Sequence, residues 1–80
     1  MTATEMPLAR ARAGSLVELT NLHMPTTLRM QELGLRAGAH AAVAARGAFG
    51  GVVLNVAGSR LAVDRHSAQL ITVRTLGDAA

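Results

Sequence analysis

The sequence predicts a mainly β domain: a small, partly or fully closed barrel of about five short strands. One short α-helix sits between the first two strands and a helical turn precedes the last. Three observations lead there. The apolar residues fall in short runs, several of them alternating with polar residues, as half-buried strands require. Glycine-rich turns separate those runs at close spacing, and closing so small a sheet hides its edges. The chain has 80 residues, room for one hydrophobic core and not for two.

The elements follow in order. Residues 1–7 are small and polar and are expected to form a frayed tail, with Leu8 the first anchored side chain. Ser15-Leu16-Val17-Glu18-Leu19-Thr20 sets Val17 and Leu19 against Glu18 and Thr20, the first strand. Pro25 suits the first turn of a helix, where its missing N–H costs nothing, and Thr26 to Leu33 continues it. Gly34 is expected as a left-handed stop, with Leu35 folding back on the last turn. At 100° per residue Thr26, Met30 and Leu33 share one face while Leu28 lies opposite with Gln31 and Glu32.

His40 to Arg46 alternates weakly, because alanine suits either structure. Gly47-Ala48-Phe49-Gly50-Gly51 reads as a loop, Val52 to Val56 as a strand, Gly58-Ser59 as a two-residue turn and Arg60 to Val63 as the returning strand. Asp64 caps a helical turn through Ala68. Leu70 to Arg74 closes the sheet and residues 76–80 form a second frayed tail. Residues 1–80 are thus expected to form a single domain. Its core is expected to be Val17, Leu19, Met30, Leu33, Val43, Leu54, Val56, Leu61, Val63 and Ile71, with Leu70 and Val73 nearby.

Composition limits what such a domain can do. Half the residues are hydrophobic, but 16 of those 40 are alanine, so the core must come from Leu, Val, Ile, Met and a single Phe. That fills a small sheet and leaves too little for a deep catalytic cleft. With no cysteine there is no disulfide and no thiolate chemistry, which suits a cytoplasmic protein. No apolar run is long enough to span a membrane, and the N-terminal residues lack the apolar stretch of a signal peptide. Eight arginines, no lysine and five acids give a net charge of +3. The arginines are scattered and the chain has one aromatic residue, so neither a basic block nor a base-stacking platform exists and no nucleic-acid partner is expected.

The candidate chemistry is equally sparse. His23, His40 and His66 show no i,i+4 pairing and no zinc-binding run, so no tight metal site is expected. Asp64, His66 and Ser67 supply the residue types of a hydrolytic triad, but they lie too close in sequence to form one. Gly47, Gly50 and Gly51 cannot form a phosphate loop without the lysine such loops carry. No catalytic residue, cofactor or enzymatic activity is expected.

The run Glu32-Leu33-Gly34-Leu35-Arg36-Ala37-Gly38, followed by Phe49-Gly50-Gly51 and Arg60-Leu61-Ala62-Val63, resembles the ferrous-iron transport protein A (FeoA) family in order and spacing. The likeness spans roughly Leu8 to Val73. Ala37 stands where the family usually has proline, Ala48 and Val52 where prolines often flank the glycine pair, and Ser67 where glutamate is common. The helix, with Thr26, Thr27 and Leu28, carries fewer arginines than the family's.

The resemblance implies an SH3-like barrel that catalyses nothing and binds a partner. That partner would be the membrane ferrous-iron transporter with a cytosolic GTPase domain (FeoB), with a second copy of the chain also possible and no direct insertion into the membrane. The same fold occurs in iron-dependent repressors, so the alternative is a regulatory module acting with such a transcription regulator. The expected docking residues are Leu28 on the outer helix face and Phe49 in the glycine loop, with Arg29 and Arg36 as a basic rim suited to carboxylates or phosphates.

Overall fold

The computed structural model of the chain describes residues 5–47 and 49–78. Residues 1–4 and 79–80, both within the expected tails, and Ala48 lie outside the described residues. The elements are β1 (Glu5–Pro7), a 3-10 turn (Leu8–Arg10), β2 (Ser15–Leu22), α1 (Leu28–Glu32), β3 (His40–Arg46), β4 (Val52–Val56), β5 (Ser59–Val63), α2 (Arg65–Leu70) and β6 (Ile71–Asp78). All the strands join one antiparallel sheet in the order β1-β6-β2-β3-β4-β5. The mainly β expectation holds, with six strands in place of about five.

The added strand comes from the segments expected to fray. Glu5, Met6 and Pro7 pair with Arg74, Val73 and Thr72, and the end of β6 continues to Asp78 beside Ser15. Leu8 then turns inward and is fully buried. β1 shows no alternation and contains a proline, which belongs on a sheet edge because it cannot donate to a ladder. Its outermost place in the sheet is where such a strand fits.

Three register shifts bend the sheet. Thr20 in β2 and Leu76 in β6 are skipped in the β2–β6 pairing, and Ala44 is skipped between β3 and β4. Each unpaired residue sharpens the local twist, which lets six short strands wrap around one core. The buried side chains are Leu8, Val17, Leu19, Leu35, Val43, Val52, Leu54, Val56, Val63, Ile71 and Val73, with Ala11, Ala41 and Ala68 between them. Met30 and Leu61, expected in the core, are half-buried against it. Leu33 and Leu70 are half-buried as well. Leu35 is the large residue that the helix-face argument missed.

The helix is shorter than its pattern suggests. It begins at Leu28, and Thr27 is its N-cap, its Oγ1 accepting from the Met30 N–H at 3.1 Å. A threonine cap requires extended backbone at that position, so Pro25 and Thr26 lie outside the helix. Its far end closes as expected: the Gly34 N–H donates to the Gln31 carbonyl and the Leu35 N–H to the Met30 carbonyl. With Gly34 at φ +100 this is a Schellman closure.

The β4–β5 turn is one residue earlier than the sequence suggests. Val56 faces Ser59, so Ala57 and Gly58 form the turn, with φ of 51 and 83. Both signs are those of a type I′ turn, which matches the twist of the flanking strands. Ala57 is the one non-glycine residue with positive φ among those described, and a left-handed conformation costs an alanine about 1 kcal/mol. Replacing Ala57 by Asn creates the preferred Asn-Gly pair and is expected to raise the thermal midpoint by several degrees. An unchanged or lowered midpoint would count against a strained Ala57.

Candidate partner-docking site

The expected docking residues fall into two groups. Leu28 and Arg29 open α1, and both are exposed, Leu28 to 71%. Arg36 follows the helix and lines a shallow groove with Gly34, Ala37, His40 and Ala57. Gly34 abuts Val56, the last residue of β4: a Cβ there would lie 2.8 Å from the Val56 Cγ1. The helix end and its groove therefore sit at the C-terminal end of β4.

Phe49 is elsewhere. It is 91% exposed at the tip of the β3–β4 loop, where the Gly47 N–H donates to the Gly51 carbonyl at 2.8 Å. Beside it Gly50 abuts the Arg65 side chain at the start of α2. This loop leads into Val52, the opposite end of β4. Five residues at about 3.3 Å per step separate those ends by roughly 13 Å. Arg36 lies at one end of the hairpin and Phe49 marks the other, while Leu28 and Arg29 stand at the start of the helix that leads to Arg36.

Pairing of the expected tails creates features invisible in the linear pattern. One is a row of charges across four strands: Glu5 of β1 faces Arg74 of β6, Arg74 faces Glu18 of β2, and Glu18 faces His40 of β3. The Arg74 guanidinium donates to the Glu18 carboxylate. Opposite charges at facing positions stabilise a sheet modestly, by about 0.2–1 kcal/mol a pair. Another is a shallow concavity of about 390 Å³ lined by Arg10, Arg12, Ser15, Thr75 and Asp78. The Arg46 guanidinium donates to the Ala9 and Ala11 carbonyls and so ties the end of β3 to the 3-10 turn.

The histidines do not converge. The His23 Nε2 lies 3.2 Å from the Thr72 Oγ1, His40 opens β3 and His66 is exposed in α2. Among the described residues no three His, Asp or Glu side chains are placed to hold a metal ion. Asp64 and Ser67 act as a cap: the Ser67 N–H donates to the Asp64 Oδ1 at 2.6 Å. That bond, with a further one from the Ser67 side chain, holds the Asp64 carboxyl below its ordinary pKa. No helix among the described residues is long and apolar enough to cross a membrane.

The sequence model of the FeoA domain matches residues 6–75, nearly all of the described sheet. The chain belongs to the FeoA family. A search of curated protein sequences finds no match, but solved structures of FeoA proteins agree closely. FeoA from Chlorobium tepidum is similar at 31% identity and a TM-score of 0.79, over 90% of this chain and 71% of that one. An iron uptake regulatory protein, also a FeoA, is similar at 25% identity and a TM-score of 0.79, over 91% of this chain and 99% of that one. Metal-dependent repressors share the fold. A manganese-dependent transcriptional repressor is 21% identical with a TM-score of 0.77, over 95% of this chain and 44% of the repressor. The SH3-like small β fold is thus that of FeoA, a family of small accessory domains involved in ferrous-iron transport.

Proposed function

We propose that this FeoA protein is a non-catalytic accessory of ferrous-iron uptake that works in the cytoplasm on the GTPase domain of a FeoB-like membrane transporter. The observation that carries this reading is the family match across residues 6–75. It is supported by two exposed large apolar side chains, Leu28 and Phe49. The docking surface is the α1 end of the molecule, where Leu28 offers an exposed apolar side chain and Arg29 and Arg36 offer charge to carboxylates or phosphates. Phe49, at the far end of β4, makes a separate contact with the same partner.

The purified chain, titrated into the isolated cytosolic domain of the transporter, is expected to bind it measurably by calorimetry. Leu28→Ser and Phe49→Ser are tested separately because the two sites lie apart. Both side chains are exposed, so each variant should keep the parent's thermal midpoint. Leu28→Ser should weaken binding at least tenfold, and Phe49→Ser by less. Absence of binding by the parent would overturn the partner; two folded variants binding as tightly as the parent would overturn the surface.

A second reading rests on the likeness to metal-dependent repressors, whose chains carry a domain of this fold. There the chain would act on a transcription regulator. Saturable binding to a repressor, with none to the transporter domain, would favour it.

A further inference from the structure

We infer that the outer edge of β5 pairs antiparallel with the β5 edge of a second copy of this chain, centred on Leu61. β5 ends the sheet order, and among the described residues no strand pairs with its outer side. The β4–β5 register decides which backbone groups that side presents. In a two-residue type I′ turn the flanking Val56 and Ser59 exchange hydrogen bonds, and bonded pairs then alternate along the ladder. Leu54–Leu61 and Val52–Val63 are therefore bonded pairs, whereas Asn55–Arg60 and Val53–Ala62 are not. The N–H and C=O groups of Arg60 and Ala62 point away from β4. They are free to bond a neighbouring strand.

Two such edges fit one another. Placed antiparallel about Leu61, Arg60 of each copy faces Ala62 of the other, so the outward groups meet as bonded pairs on both sides of the centre. The side chains agree with that register. Arg60, Ala62 and Asp64 alternate with the inward Leu61 and Val63 and are all exposed. Beside Ala62 a groove of about 410 Å³ runs past Gly51 and Val53 to Asp64. It is an apolar trough with an acid at its end, suited to an arginine whose stem lies on carbon and whose head needs a carboxylate.

The pairing delivers that arginine. Arg60 of one copy lies across Ala62 of the other and one diagonal step, about 7–8 Å, from its Asp64, within reach of a long side chain. The two arginines are also diagonal to each other at the centre, and both swing outward to the acids. Oδ1 of Asp64 caps α2, and the exposed carboxylate has lone pairs left to accept from an arginine. A five-residue edge makes a small interface, so the dimer is a weak one. It is independent of the transporter reading, because β5 carries none of the residues assigned to that contact.

The test is sedimentation equilibrium of the full chain over a wide concentration range, with amide exchange measured by NMR on the same samples. The mass is expected to rise from 8.3 kDa toward twice that value, and exchange at Arg60 and Ala62 should slow with concentration by tenfold or more. Leu61 and Val63, already bonded to β4, should change little. Arg60→Glu sets like charges against Asp64, and Ala62→Pro removes an outward donor that β4 does not use. Each should stay monomeric where the parent is half dimer, with a dispersed spectrum showing that it is folded. A parent that stays monomeric at millimolar concentration would overturn the pairing. So would a dimer in which Arg60 and Ala62 exchange at the monomer's rate.

Discussion

Replacing Leu35 by Ala is expected to cost about 2–5 kcal/mol, the range for removing a large buried aliphatic side chain. Leu35 belongs to no helix or strand, yet it is 0% exposed and joins the same core as Leu19, Leu54 and Ile71. Its position is fixed by the helix closure, since its N–H is held by the Met30 carbonyl at 2.9 Å. The surroundings are strands locked in a ladder, so collapse into the vacated space is limited and the cavity persists. A domain of this kind has about 5–15 kcal/mol in total, so this one change removes a large share. Leu33→Ala, at a half-buried position two residues earlier, should cost less than half as much by urea denaturation. Equal losses would show that the helix face, and not Leu35, carries the packing.

Gly34→Val is expected to destabilise by roughly 2–5 kcal/mol, the sum of a left-handed backbone imposed on a side chain and the overpacking of a tight contact. Two separate constraints act there. The φ of +100 disfavours any Cβ, most of all a branched one. A Cβ would also come 2.8 Å from the Val56 Cγ1, and Val56 is itself buried with little room to move. Asn tolerates the backbone but still brings a Cβ, so Gly34→Asn should fall between Val and the parent. Shortening the neighbour separates the two constraints. Gly34→Ala combined with Val56→Ala should be more stable than the sum of the single losses predicts, by about 0.5–3 kcal/mol. Strict additivity would leave the backbone as the sole cause.

What the sequence disclosed was whatever depends on near neighbours. The strands at His40–Arg46 and Val52–Val56, the Asp64 cap and the Gly34 closure all follow from a few adjacent residues. The errors arose where a distant partner decides. Glu5-Met6-Pro7 carries no strand pattern, and only β6, from the other end of the chain, makes it one. Leu35 follows from the sequence only as part of a helix closure, because nothing beside it announces the core it enters. The shift of the hairpin turn to Ala57-Gly58 runs against alanine's preference and was set by the β4–β5 register.

The expected docking residues are placed largely by local spacing. That Leu28 faces away from the core follows from helical spacing, and its exposure agrees. That Phe49 stands at the opposite end of β4 from Arg36 is implied by the expected strand His40–Arg46, which lies between the helix end and the Phe49 loop and holds its two flanks apart. The charge row Glu5–Arg74–Glu18–His40 is by contrast illegible, since its members come from four strands and only the register aligns them.

The place of β6 between β1 and β2 sets the order in which the molecule can be built. β2, β3, β4 and β5 follow one another in sequence and in space: β3 adds to β2 across the segment that holds α1, and β4 and β5 each add by closing a short loop. β6 must return to partners far back along the chain: Arg74 meets Glu18 across 56 residues. Loop closure over such distances is slow compared with hairpin formation. A chain emerging from the ribosome therefore carries an unsatisfied β2 edge beside Leu19 until β6 has been made. The strand that seals the core is thus made after both of its partners, and until then the nascent chain depends on its four-strand meander.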